Sequence, residues 1–123
     1  QLQCLGQIHI MLADIERYRF MHSVGDPAEA LNRAQGLYCS ALEACPQLGQ
    51  AFNQRGLLAS IRGEPLAAVL CGFRSLLCAH PFPNSWENLV VWLGQAAGRS
   101  VQASPSSPGA ARPAGGEAVV LAC

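Results

Sequence analysis

Leu12-Ala13-Asp14-Ile15-Glu16-Arg17-Tyr18-Arg19 is the densest cluster of charge in a chain in which only 13% of the residues are charged. Its apolar members Leu12, Ile15 and Tyr18 recur at intervals of three residues, which places them on one side of a helix. We therefore predict an amphipathic helix over residues 3–21. Its apolar stripe comprises Leu5, Ile8, Leu12, Ile15 and Tyr18.

Downstream of this helix, the sequence predicts four more helices and no strand. They cover roughly residues 26–45, 49–61, 65–79 and 84–97. Asp26 can cap the second helix, Pro27 suits the first helical position, and Pro46 ends that helix. No segment has the strict alternation of apolar and polar residues that is typical of a half-buried strand. The predicted fold class is all-α.

Three aromatic residues, Tyr18, Phe52 and Trp86, are separated by a constant interval of 34 residues. This period is typical of tetratricopeptide repeats, in which small residues such as Gly56 let the two helices of a pair approach closely. Each pair leaves an apolar side that the next pair covers. We therefore predict antiparallel helix pairs stacked as a tetratricopeptide-like α-solenoid. The alternative is an ordinary helical bundle whose aromatic residues match the period by chance.

The composition argues against several classes of function. Eight arginines offset eight carboxylates and there is no lysine, so no net field attracts the chain to nucleic acid or to an acidic membrane. No apolar run approaches the length needed to cross a bilayer. The six cysteines lack metal-ligand spacing, so we expect reduced thiols and no metal or cofactor; three disulfides in a secreted protein are the alternative.

Catalytic residues are not apparent either. His9, His22 and His80 have no clustered carboxylates with which to form an acid–base pair, and no serine lies in a nucleophile elbow. We therefore expect a protein that is not an enzyme.

The chain divides at residue 98. Residues 1–98 are predicted to form the helical segment, which we expect to be incomplete at its N-terminus because an apolar pattern is already running at Gln1. Residues 99–123 are rich in proline, serine, glycine and alanine and have little to bury, so we predict a disordered tail.

Four residues on the first, third and fifth helices are candidates for a binding site: Arg17, Tyr18, Asn53 and Asn88. In stacked helical pairs, these helices line a shared inner wall. The guanidinium of an arginine and the hydroxyl of a nearby tyrosine can bind phosphate through charge-assisted hydrogen bonds of about 1.5–3 kcal/mol each. Asparagine amides suit an extended peptide backbone. The alternative is that Arg17 pairs with Asp14 in a bridge of less than about 1 kcal/mol.

Four ordered blocks of the sequence resemble the Ever-Shorter-Telomeres/SMG family of nonsense-mediated mRNA decay and telomerase-associated factors. Residues 12–19 resemble the signature L-G-D-[LI]-x-R-Y, and residues 45–54 resemble P-x-x-G-x-x-[YF]-N-Q. Residues 73–76 are similar to [YF]-x-R-S-[LI], and residues 81–89 are similar to P-F-x followed by N-L. Two residues depart from the pattern: Ala13 replaces a glycine, and Arg55 stands where an apolar residue is usual.

The resemblance implies a 14-3-3-like helical domain that continues into tetratricopeptide-like helices. Family members of this kind are adaptors that bind the phosphorylated RNA helicase of the decay pathway and recruit mRNA-degrading machinery. Matching the motifs puts Arg17 and Tyr18 in a phosphate pocket and Asn53 and Asn88 on the ligand backbone. The remaining basic residues of that pocket would lie upstream of Gln1, so the chain resembles a fragment or a divergent paralogue.

The resemblance also implies partners and a location. It implies a cytoplasmic protein, with the nucleus as an alternative, and a related adaptor as a heterodimer partner. Two other functions stay open. One is a DNA/RNA-binding module associated with telomeres or telomerase, and the other is a helical scaffold whose binding does not depend on phosphorylation.

Overall fold

The structure, a computed structural model, describes residues 1–102, with side chains up to residue 98. Within that range it consists of five α-helices and no strand. They are α1 (Leu2–Met21), α2 (Pro27–Ala44), α3 (Gly49–Ile61), α4 (Pro65–Leu77) and α5 (Ser85–Gln102). The all-α prediction is confirmed. Helix α5 continues past residue 97, where the sequence predicted its end, and the rest of the predicted tail, residues 103–123, lies outside the described residues.

The helix boundaries follow local signals. The Asp26 carboxylate accepts a hydrogen bond from the backbone N–H of Ala28 at 3.0 Å, which caps α2 as predicted. Helix α4 begins at Pro65. Helix α3 is followed by Gly63, whose φ of 75° is the left-handed conformation that commonly ends helices and that glycine adopts without strain.

The helices pack as antiparallel pairs around two neighbouring cores. The first core joins α1, α2 and the inner side of α3, and includes Ile10, Ala13, Tyr38, Leu42 and Leu58. The second joins α3, α4 and α5, and includes Ala59, Ala68, Cys71, Leu89 and Trp92. Because α3 contributes to both, the pairs are stacked in a row as in a solenoid.

A glycine lies where α3 meets the last two helices. A Cβ atom added to Gly56 would lie 2.5 Å from the Trp92 ring and 3.2 Å from the Cβ of Cys71. The sequence-based prediction that Gly56 permits a close helix contact is therefore confirmed.

The apolar stripe predicted for α1 is not the face through which this helix packs. Leu5, Ile8, Leu12 and Ile15 are 43–55% exposed. Helix α1 instead packs against α2 through a face that consists of Gly6, Ile10, Ala13 and Arg17. The small residues on that face allow close approach of the backbones, whereas no described element covers the stripe.

The aromatic register was also wrong in detail. Tyr18 lies in the last turn of α1, whereas Phe52 lies in the first turn of α3 and Trp86 is the second residue of α5. The first two helices have 20 and 18 residues, but the next two have 13 each. Because the pairs differ in length, a constant interval in sequence does not mark equivalent positions.

A buried hydroxyl group fixes the start of α3 against α4 and α5. The Ser75 hydroxyl donates to the Gly49 carbonyl at 2.6 Å and also hydrogen-bonds the hydroxyl of Ser85. The Gly49 N–H donates to the His80 carbonyl at 2.9 Å. These bonds set the register of α3 against α5, and therefore the relative positions of their side chains.

Candidate binding site

A charged cluster lies between α1 and α2. The Arg17 guanidinium donates to the Tyr38 hydroxyl through Nε at 3.3 Å and to the Asp14 carboxylate through Nη2 at 3.5 Å. The Tyr38 hydroxyl in turn donates to the same Asp14 oxygen. Tyr38 is fully buried, and Arg17 is 9% exposed. The cluster is therefore a largely buried ion pair with a phenol between its partners.

Hydrogen bonds continue from this cluster across α3 to α5. The Gln54 amide donates to Asp14 Oδ1 at 2.8 Å, and the Asn53 amide donates to the Gln54 side-chain oxygen at 3.3 Å. The Asn88 amide then donates to the Asn53 side-chain oxygen at 3.0 Å. One chain of polar contacts thus runs from Arg17 to Asn88 along the wall that α1, α3 and α5 form together.

Burial and charge act in opposite directions on the arginine. Burial alone would lower the pKa of Arg17, but its contacts with Tyr38 and Asp14 outweigh that effect and leave the pKa above its usual value. Burial, together with the hydrogen bond to Asp14, raises the pKa of Tyr38 well above its ordinary value, although Arg17 opposes the shift. The guanidinium therefore stays charged and the phenol neutral over the physiological pH range.

The four residues predicted for the site occupy different environments. Asn53 is 2% exposed, and Asn88 is half-buried beside it. Tyr18 is 49% exposed, and its ring centroid lies 4.6 Å from the Arg17 guanidinium carbon. The structure thus connects Arg17, Asn53 and Asn88 through hydrogen bonds and leaves Tyr18 at the edge of the array. It also contains the Arg17–Asp14 pair that the alternative interpretation anticipated.

Sequence reasoning missed Tyr38 and Gln54, and it anticipated Asp14 only as a partner of Arg17. Asp14 accepts hydrogen bonds from Arg17, Tyr38 and Gln54 on one oxygen, so it links three helices. Gln54 directly follows Asn53 within the matched block of residues 45–54, and that position was a signal for its role. Tyr38 gave no such signal, because its place in an apolar helical pattern marked it only as a core residue.

Residues 1–98 offer neither a metal site nor a membrane-spanning helix. No group of three or more histidine, cysteine, aspartate or glutamate side chains in that range could hold a metal ion. None of the described helices combines the length and the apolar character needed to span a membrane.

The pattern of the sequence matches a known domain family. The family model described as the Est1 DNA/RNA binding domain matches residues 34–106, more than half of the chain. The chain belongs to the Est1 family. The resemblance to Ever-Shorter-Telomeres/SMG proteins is thereby confirmed.

Relatives of this Est1-family chain are factors of nonsense-mediated mRNA decay. It is 33% identical over 87 residues, or 71% of its length, to the decay factor SMG7 of Danio rerio. It is 28% identical over 69% of its length to an SMG7-like decay factor of Arabidopsis thaliana, and 32% identical over 65% to SMG5 of Homo sapiens. The chain spans only 7–10% of the length of these relatives. No solved structure matches it significantly.

Proposed function

We propose that this chain is a non-catalytic adaptor module of nonsense-mediated mRNA decay that binds a phosphorylated serine or threonine segment of an RNA helicase. The proposal rests mainly on the continuous hydrogen-bond array from Arg17 to Asn88. This array crosses three helices, with a cation at one end and amides further along, and such an arrangement suits an extended phosphorylated peptide. The similarity to decay factors supports the choice of pathway.

The phosphate would bind at Arg17. A guanidinium has five N–H donors, and its contacts with Tyr38, Asp14 and Met21 engage one on each nitrogen. The remaining donors are available to phosphate oxygens, in charge-assisted bonds of about 1.5–3 kcal/mol each. Tyr18, which is 49% exposed and lies beside Arg17, can donate its hydroxyl hydrogen as well. Asp14 competes for the same cation, so this site by itself binds phosphate weakly.

The peptide backbone would lie along Asn53 and Asn88. Asn88 uses one amide hydrogen to reach Asn53, and its second amide hydrogen and its carbonyl oxygen remain to pair with a peptide unit. Asn53 is almost fully buried, so it acts chiefly by orienting Asn88.

Titration of matched phosphorylated and unphosphorylated helicase peptides against the chain tests the proposal. We expect the phosphorylated peptide to bind at least tenfold more tightly, and Arg17→Glu to remove that difference. Arg33→Glu is the control, because Arg33 is exposed on α2 and away from the array. Circular dichroism of each variant separates lost binding from lost folding. Equal affinity of both peptides for the native chain would refute the proposal.

Asp14→Asn distinguishes a phosphate site from a purely structural ion pair. The substitution removes the negative charge beside Arg17 but keeps an oxygen that can accept from Gln54. If phosphate binds at Arg17, this variant binds the phosphorylated peptide several-fold more tightly than the native chain, because repulsion is relieved. If Arg17 and Asp14 form only a structural ion pair, Asp14→Asn leaves the affinity for the phosphorylated peptide unchanged and lowers only the thermal stability of the chain.

The other expectations for this module follow from the same kinship. We assign it to the cytoplasm, with the nucleus as a second location, and expect a related adaptor as its heterodimer partner. The exposed stripe of α1, Leu5, Ile8, Leu12 and Ile15, is the apolar surface available for that partner. Glutamate at Ile8 should abolish the heterodimer in sedimentation experiments and leave the fold intact.

A second candidate function is nucleic-acid binding, which the description of the matching family model favours. It requires a basic surface, whereas residues 1–98 hold six arginines and seven carboxylates. Binding to single-stranded RNA or telomeric DNA that weakens steeply with salt would support this candidate over the adaptor. Peptide binding that does not depend on phosphorylation would instead support a helical scaffold.

A further inference from the structure

The outer face of α4 carries an apolar stripe that no described element covers. Leu66, Leu70, Phe73 and Leu77 are spaced by four, three and four residues and are 43–81% exposed. Such spacing puts all four on one side of the helix. The opposite side of α4 packs against α3 and α5, so this outer face plays no part in the cores.

A cleft of about 360 Å³ runs beside this stripe. Leu70, Phe73 and Leu77 form one side, and Pro46 and Phe52 form the other. A smaller recess of about 200 Å³ adjoins it near Cys39, Leu42 and Glu43. The cleft lies on α4, away from the hydrogen-bond array of α1, α3 and α5.

The cleft contains a cation, Arg74, that has no carboxylate partner among residues 1–98. Arg74 lines both cavities, and its guanidinium carbon lies 5.8 Å from the centroid of the Phe52 ring. Among the described residues, no carboxylate lies within ion-pair distance of Arg74, and Glu43 only lines the recess beside it. An apolar segment with a single carboxylate therefore complements this surface in both respects.

The chain itself contains such a segment outside the described residues. Residues 117–122 read Glu-Ala-Val-Val-Leu-Ala, with one carboxylate and three large aliphatic side chains. We propose that this segment docks in the cleft beside α4, with Val119 and Leu121 against the apolar side chains and Glu117 facing Arg74.

The chain length between helix and segment permits this arrangement. Helix α5 has 18 residues and is about 27 Å long. The 14 residues between Gln102 and Glu117 span up to about 46 Å when extended, enough to return along the length of α5. A tether of this length gives an effective concentration on the order of millimolar, so even a weak contact within one chain is populated.

Removal of the segment tests the proposal. We compare amide and methyl NMR spectra of the full chain with those of a chain that ends at Gly116. Both samples are in reducing buffer, and the full chain carries Cys123→Ser. We expect shifts at Leu70, Phe73 and Leu77. A synthetic peptide of residues 115–122 added to the shortened chain should move these signals back toward their full-chain positions. Identical signals at the cleft in both chains would overturn the proposal.

A charge exchange identifies the contact. Arg74→Glu should abolish the response to the peptide, and a Glu117→Lys peptide should restore it. Arg62→Glu, a charge reversal away from the cleft, should leave the response unchanged. A peptide with serine at Val119 and Leu121 should not bind. Cleft signals that instead shift with protein concentration in the shortened and full chains alike would identify a second copy as the occupant, which also overturns the proposal.

Discussion

Arg55 is the residue whose environment is least expected from its chemistry. It is fully buried in α3, and its three guanidinium nitrogens have no hydrogen-bond partner among the described residues. Burial lowers the pKa of Arg55, and the nearby charge of Arg74 lowers it further, although Cys71 opposes this. Burial of a cation without a partner costs several kcal/mol of folding free energy, because the group loses its hydration and forms no hydrogen bond or ion pair in return. This is also the position where an apolar residue was expected from the family pattern.

Replacement of Arg55 by leucine should therefore stabilise the chain. We expect the free energy of unfolding to rise by about 1–4 kcal/mol, because an uncompensated charge is exchanged for apolar contacts. Urea denaturation followed by tryptophan fluorescence measures the change. Arg33→Leu, on the exposed face of α2, is the control and should change stability by less than about 0.5 kcal/mol. A loss of stability in Arg55→Leu would mean that the guanidinium has a partner.

The buried phenol of Tyr38 should make stability depend on alkaline pH. Its pKa is raised in the folded chain by burial and by Asp14, so the folded state holds this proton more firmly than the unfolded state does. Below about pH 10, the pKa of an unfolded tyrosine, Tyr38 makes its full contribution to the free energy of unfolding. As the pH rises above about 10, this contribution falls by at most about 1.4 kcal/mol per pH unit. Tyr38→Phe should lack this loss between pH 10 and 11, whereas Tyr18→Phe, at a half-exposed position, should retain it. Urea titrations at successive pH values measure both, and equal slopes in the two variants would contradict the assignment.

At the scale of elements, helix bounds could be predicted because their signals are local. Asp26, Pro27 and Pro65 lie at the helix starts that the sequence indicated, and α3 has the predicted bounds.

The faces through which the helices pack were predicted less accurately than the helix bounds. Helix α1 is apolar on both sides, and periodicity alone does not reveal which side a neighbour covers. Of the four residues that the sequence nominated for a binding site, Arg17, Asn53 and Asn88 belong to the hydrogen-bond array. The central position of Asp14 in that array could not be predicted, because it depends on contacts 24 and 40 residues away in sequence.

The stacking of α5 on α3 depends on the absence of a side chain at Gly56. Gly56→Ala adds a methyl group 2.5 Å from the Trp92 ring, so the ring or the helix that carries it must shift. We expect a loss of about 1–3 kcal/mol in the free energy of unfolding. Gly36→Ala is the matched control, since nothing lies within 4 Å of its added Cβ atom, and it should gain up to about 1 kcal/mol through helix propensity. Thermal unfolding of both variants measures the two changes in stability. A stable Gly56→Ala variant would mean that α5 is held elsewhere.

For the whole molecule, the arrangement of charge matters more than its sum. The arginines of residues 1–98 that pair with a carboxylate on their own helix are Arg17, Arg19 and Arg33. Arg55 is buried. Among the six arginines of residues 1–98, this leaves Arg62 and Arg74 for contact with a polyanion, and Arg62 already donates to Asn32. The described surface has no basic stripe of the kind that nucleic-acid-binding domains carry.

This distribution predicts how the chain responds to single-stranded RNA. Even if Arg99 and Arg112 also contact phosphates, the four available cations give a slope of log affinity against log salt no steeper than about −2.8, at roughly −0.7 per contact. Fluorescence anisotropy with a labelled RNA between 50 and 200 mM salt measures the slope, and Arg74→Ala should flatten it by about 0.7 if Arg74 is among the contacts. A slope of −5 or steeper would require paired arginines to leave their carboxylates for phosphates. In that case Arg17 would be a nucleic-acid contact, and the phosphopeptide assignment would have to be abandoned for the whole wall of α1, α3 and α5.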